Sequence, residues 1–201
     1  VRYVDDVVFT FRSFADAEDF RDELKVRLEE FGITFHEGKT KVMEGGREAA
    51  EKLSRKNLKM PCFTFLGFLH VWGQSKNRKT GKTFWRVKRR TCPIRFKKKL
   101  AEIKEYIKSH RHDKDLILRV KAIVIGYLNY FAINDNSKRS ARFLHEVRRM
   151  LFKWLNRRSQ KRSYDWKHFV VILNKLKFPD RVKLKPLFFN MSMGETRTTQ
   201  C

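Results

Sequence analysis

Asp5 and Asp6 stand side by side between two short apolar runs rich in strand-favouring residues, Val1 to Val4 and Val7 to Phe11. Neighbouring carboxylates repel each other and are costly to take out of water unless a cation neutralises them. A divalent metal is the simplest such cation. Mg²⁺ accepts oxygen ligands, usually one or two carboxylates together with substrate phosphates, and it serves phosphoryl or nucleotidyl transfer. The alternative is a solvent-exposed Asp-Asp turn with no chemistry. A second group of residues is suited to holding polyanions: Arg86, Lys88, Arg89, Arg90, Arg95, Lys97, Lys98 and Lys99, interleaved with Trp85 and Phe96.

The elements that would position these groups are legible from periodicity. Val1 to Phe11 predicts a tight hairpin with the acidic pair at its turn. Ser13, with Asp16 three residues on, predicts a helix start, and Ala17, Phe20, Leu24, Leu28 and Phe31 recur at helical spacing until Gly32 ends it. Ile33 to Phe35 and Lys39 to Met43 read as extended, and Phe63 to Val71 as a further strand containing Gly67. Gly73 and Gly81 allow a loop or hairpin between Leu69 to Trp72 and Thr83 to Val87. Beyond Pro93 the period is helical in four segments, the third opened by Ser137 as N-cap and the fourth running from Trp166 to Leu176. Phe131 and Trp154 fall on apolar stripes and read as core. The fold class expected is therefore α+β.

The chain has 201 residues, 41% of them hydrophobic and 13% aromatic, with 18 Phe and a formal charge of +25. Such a chain can bury enough apolar surface to fold, which excludes a disordered basic tail. Residues 1–70 hold 12 basic and 13 acidic side chains, net −1, whereas residues 71–178 hold 31 and 7, net +24. A net charge of roughly 2 to 8 suffices for solubility in a small domain. The excess points to nucleic acid, and two units with different tasks are expected. The aliphatic stretches are too short to span a bilayer, so no membrane partner is expected. Cys62, Cys92 and Cys201 form no CxxC, which argues against a disulfide framework or zinc ribbon and for a reducing compartment, a bacterial cytoplasm or an organelle. Opening inside a strand without an initiator Met or leader, the chain reads as a fragment.

Tyr3, Val4, Asp5, Asp6 between apolar strands resembles the Tyr-x-Asp-Asp motif of reverse transcriptases. The segment Ile33 to Lys41 is similar to that family's lysine-bearing motif after the palm helix, and Phe63 to Phe68 resembles its Phe-Leu-Gly-Phe primer-grip strand. In the basic half, Gly126, Tyr127, Leu128, Asn129, Tyr130, Phe131 and the helix ending at Arg157 and Arg158 are similar to the thumb, or maturase domain X, of group II intron-encoded proteins. The chain thus resembles a group II intron reverse transcriptase and maturase over residues 1–178.

That resemblance implies a partial reverse-transcriptase palm over 1–72, an antiparallel sheet with one amphipathic helix. A basic linker or hairpin over 73–93 follows, then an all-α thumb over 94–178 and a tail over 179–201. It implies that Asp5 and Asp6 are two of three carboxylates holding paired Mg²⁺ ions for RNA-directed DNA synthesis. Lys39 would neutralise or protonate pyrophosphate, with Lys41 as the competing candidate and a plain surface lysine as the bland one. Tyr3 and Val4 would lie along the primer terminus, and Leu66 and Gly67 would seat the primer backbone. The basic cluster, with Arg157 and Arg158, would bind phosphates of a primer-template or of intron RNA. The partners implied are group II intron RNA, an RNA template with a DNA primer, and dNTPs. The third carboxylate, the fingers and the dNTP-binding segment would lie upstream of Val1, so the 201 residues alone are not expected to polymerise. Two other readings stay open: a splicing maturase that binds RNA without polymerase activity, and an inactive truncated relic.

Overall fold

A computed structural model describes residues 1–34, 36–77, 79–157 and 165–186. The chain divides into two compact units, Val1–Arg89 and Arg90–Cys201.

In the first unit, β1 (Arg2–Tyr3) and β2 (Asp6–Val7) form an antiparallel hairpin with Tyr3 opposite Asp6, leaving Val4 and Asp5 as its loop. Helix α1 (Phe14–Glu29) starts as the sequence requires, with the Asp16 amide donating to Ser13 Oγ at 3.0 Å. It ends in a Schellman arrangement: Ile33 N–H reaches Leu28 C=O and Gly32 N–H reaches Glu29 C=O, with Gly32 at φ 68°. Its apolar stripe does not become a core face, since no residue of α1 is buried. Phe20 instead packs on Phe9 and Phe11, with ring centroids 4.7 and 5.1 Å away.

Three further expectations for this unit are corrected. Residues 33–34 and 39–43 form no strand; residues 37–39 are a turn, closed by the Lys39 and Thr40 amides donating to the His36 carbonyl at 3.1 Å. Phe35 lies outside the described residues. Helix α2 (Arg47–Arg55) occupies a stretch given no element in the sequence reading, its Ala49 and Ala50 buried and its end closed by a second Schellman arrangement at Asn57. Lastly, the apolar run from Phe63 to Val71 is not one strand. It folds back on itself as β3 (Phe63–Phe65) and β4 (Phe68–Lys76), with Phe65 opposite Phe68. Leu66 (φ 48°) and Gly67 (φ 79°) form the two-residue loop, and positive φ at both positions suits the right-handed twist of a hairpin. Strand β5 (Thr83–Thr91) joins the sheet in the order β3-β4-β5, so most of the basic stretch after Gly73 is strand.

The second unit is helical: α3 (Pro93–Ser109), α4 (Leu116–Phe131), α5 (Ser137–Leu155) and α6 (Trp166–Lys175). All four surround one core that includes Phe96, Ile103, Ile107, Val120, Val124, Phe143, Val147, Leu151, Phe169 and Leu173. Phe131 and Trp154 pack against it partly buried. Tyr127 stacks on Phe143 at 3.6 Å between centroids, and burial pushes its phenol above the ordinary value. Ser137 is the first helical residue of α5 rather than its cap. Asn136, at the end of a 3-10 turn (Asn134–Asn136), holds the cap position, but its side chain is engaged elsewhere. After α6 a third Schellman arrangement reverses the chain at Lys177 (φ 51°), carrying Phe178 into the core beside Leu173. The following segment is tied down by the Lys185 amide donating to the Ala132 carbonyl at 2.7 Å and by the Lys185 ammonium on the Asn129 carbonyl at 2.7 Å.

Candidate nucleic-acid interface

Asp5 and Asp6 are both exposed at the tip of the β1–β2 hairpin, Asp5 in the loop and Asp6 opening β2. They do stand at a turn, as the sequence requires. The loop is strained. Val4 sits at φ 54°, the left-handed region in which a β-branched residue is an outlier. Tyr3 and Val4 are exposed at 61% and 71%, so neither is held by packing. Among the described residues, no group of three or more His, Cys, Asp or Glu side chains comes together in a way that could hold a metal. The acidic pair presents exposed carboxylate oxygens at the hairpin tip.

Lys39 is exposed on the 37–39 turn, and Lys41 is exposed in the irregular segment after it, so the two do not share a strand face. Neighbouring Glu37 is paired with Lys25 of α1 at 2.6 Å. That contact holds the Lys25 ammonium above its ordinary pKa and the Glu37 carboxyl below. Leu66 is half-buried and Gly67 buried in the β3–β4 loop. Near that loop His70 stacks on Phe63 at 4.7 Å with rings 5° apart. Burial lowers the His70 pKa, a backbone contact with Phe68 opposes this, and the positive charge of Arg89 adds to the lowering.

The basic residues differ in how available they are. On β5 in the first unit, Arg86 Nε donates to Ser75 Oγ at 2.8 Å, and the Lys88 ammonium donates to the Gln74 carbonyl. Both are half-buried, as is Arg89, so part of their donor capacity ties β5 to β4. In the second unit Arg90, Arg95, Lys97 and Lys98 are exposed. Lys99 is half-buried and pairs with Glu102 at 3.2 Å. Arg139, which the sequence did not single out, lays its guanidinium over the Phe96 ring at 5.4 Å, beside Arg95 and Lys97 in the chain. Arg157 stacks over Trp154 at 5.2 Å, and Arg158 lies outside the described residues. Cationic groups set on or beside helices, two of them held with their guanidiniums over aromatic rings, can neutralise backbone phosphates with less ordering of long side chains.

Comparison with known families bears on this second unit. Residues 95–169, from the first turn of α3 into α6, match the family described as group II intron, maturase-specific domain. The match covers less than half of the chain and supports a group II intron maturase-like protein, with a maturase role in intron splicing. Such a domain implies intron RNA as a binding partner. No curated protein matches the chain, and no solved structure does. Among the described residues no helix is long and apolar enough to cross a membrane.

Proposed function

We propose that this chain is the RNA-gripping part of a group II intron reverse transcriptase, and that its second unit binds intron RNA to assist splicing. The observation that carries the reading is the coincidence of the maturase-specific match with α3, which bears Arg95, Lys97 and Lys98, and with α5, just past whose C-cap Arg157 lies. Phosphate neutralisation by such a surface is worth most in low salt and gives shape-directed contact with folded RNA.

The same proposal assigns Asp5 and Asp6 to the polymerase centre of the intact protein, where Mg²⁺, when bound, would polarise phosphate oxygens and activate a primer hydroxyl. Support comes from the hairpin that projects both carboxylates and from the strained Val4 beside them. Support also comes from the order of the lysine-bearing and Leu66-Gly67 segments along the chain. Tyr3 and Val4 would face the primer end, Lys39 the pyrophosphate, and the Leu66–Gly67 loop the primer backbone. Since no third carboxylate joins the pair among the described residues, the 201-residue chain is expected not to extend a primer with dNTPs and Mg²⁺.

The test is competition binding of the full chain to a group II intron transcript and to poly-uridine of equal length, at low and physiological salt. Preference for the intron transcript, with affinity falling steeply as salt rises, is the expected result. Equal affinity for both RNAs, or no salt dependence, would remove the maturase reading.

A further inference from the structure

The second unit contains a groove of about 520 Å³ that the basic cluster does not include. That volume lies within the range of about 300–1,000 Å³ typical of ligand sites. One wall is a single face of α5, where Ser137, Ala141, Leu144, His145 and Arg148 follow each other at helical spacing. The facing wall is the segment from Asp180 to Leu184, held by the chain reversal at Lys177 and by the Lys185 contacts with α4. Trp166, at the start of α6, completes the lining.

Three properties distinguish this groove. Trp166 is 41% exposed although its ring meets Phe152 near-perpendicularly at 5.1 Å and Phe169 at 5.5 Å, so the residue is anchored yet partly open. Arg148 is weakly committed: its buried Nε–H has no acceptor, and Nη1 reaches the Asp180 carbonyl only at 3.5 Å. A guanidinium so held loses little by turning to a better acceptor. Arg181 is exposed on the opposite wall, and the apolar floor is supplied by Leu144 and Val182.

We infer that this groove takes an unpaired nucleotide of RNA, its base stacked on Trp166 and its phosphate held by Arg148 and Arg181. The inference rests on the RNA-binding reading above and deepens it by separating a single-strand site from the phosphate-tracking lysines. A partly exposed indole lining the same groove as two guanidiniums matches a base and its phosphate, because unstacked bases offer a π-face that duplex RNA does not. The net charge of +24 over residues 71–178 disfavours cationic occupants.

The experiment measures binding of a fluorescent ten-nucleotide single-stranded RNA and of its blunt duplex to the full chain. The variants are Trp166→Ala, Trp166→Phe, Arg181→Gln and the double variant Lys97→Gln/Lys98→Gln. Trp166→Ala is expected to weaken single-strand binding about tenfold, in line with the loss of one base stack. Arg181→Gln should weaken it several-fold and Trp166→Phe should restore most of it, while duplex binding changes less than twofold for each. Arg181 is exposed, so its replacement tests the groove even if Trp166→Ala disturbs packing on Phe152. Groove variants that bind the single strand like the parent, while the lysine variant binds more weakly, would overturn the inference. The groove would then be left to a protein partner and RNA binding would stand. Equal loss of duplex binding in the groove variants would overturn it too. If the parent chain binds neither RNA, the RNA-binding reading itself falls.

Discussion

Asn136 and Thr91 hold each other through two hydrogen bonds: the Thr91 amide donates to Asn136 Oδ1 at 2.9 Å, and Asn136 Nδ2 donates to Thr91 Oγ1 at 2.7 Å. Both residues are 1% exposed. The same amide also donates to the Phe131 carbonyl at 2.9 Å, so one side chain joins the end of β5, the end of α4 and the start of α5. Asn136→Ala would leave the buried Thr91 amide without its acceptor, while the Phe131 carbonyl keeps the Ser140 hydroxyl and the Ile133 amide. It is expected to lower unfolding stability by about 1–3 kcal/mol, the cost of one stranded buried group. Urea unfolding followed by circular dichroism measures this, and a loss below 1 kcal/mol would show that water replaces the side chain.

The left-handed Val4 should be relieved by a residue that tolerates φ 54°. A non-glycine residue in that region costs roughly 1–2 kcal/mol. Val4→Gly is therefore expected to firm the β1–β2 hairpin, seen as stronger cross-strand nuclear Overhauser effects between Tyr3 and Asp6. Weaker effects in the variant would mean that the valine side chain itself supports the turn.

His70 gives the first unit a pH response. Its folded pKa lies below the ordinary 6.5, so the unfolded chain takes up the proton first. Stability from this residue is present above 6.5 and drains away as pH falls through the window between 6.5 and the lowered folded value. Unfolding at about pH 5 against about pH 7.5 should show the loss, and His70→Phe, which keeps a ring on Phe63, should reduce it. A parent and a variant with the same pH profile would assign the acid sensitivity to other groups.

Among neighbouring lysines on α3, availability should decide contribution. Lys97 and Lys98 are exposed, whereas Lys99 already faces Glu102. Replacing Lys97 or Lys98 by Gln should reduce the log-log salt slope of RNA binding by about 0.7 each if each meets one phosphate of a single strand. Lys99→Gln should change it less. The ranking fails if Lys99→Gln has the largest effect.

The helical half was readable because each segment carries enough large apolar residues at one period to define a face, and in the folded chain those faces meet in one core. Phe96, Ile103 and Ile107 illustrate this for α3. Helix α2 escaped notice because its buried contacts are made by Ala49 and Ala50, which add little to any hydrophobic pattern. Its sequence did carry a signal, Glu48 placed four residues before Lys52. The β3–β4 reversal escaped because Leu66 gives no hint of a left-handed backbone; only Gly67 did. The turn around Asp5 and Asp6 was legible because carboxylates interrupt an apolar run. That Arg86 and Lys88 spend donors on β4 was not, since the partners Ser75 and Gln74 are set by strand pairing alone. The Arg148 and Trp166 groove was illegible for a like reason: its walls come from α5, α6 and the segment after Lys177, which share no motif.

Helix α1 offers no residue to an interior, unlike α3, whose Ile107 is wholly enclosed. Amide hydrogens along α1 should accordingly exchange with deuterated solvent within local opening times, while those of α3 and α5 wait for global unfolding. Among the described helices, protection is thus expected to be weakest in the one that follows the acidic hairpin.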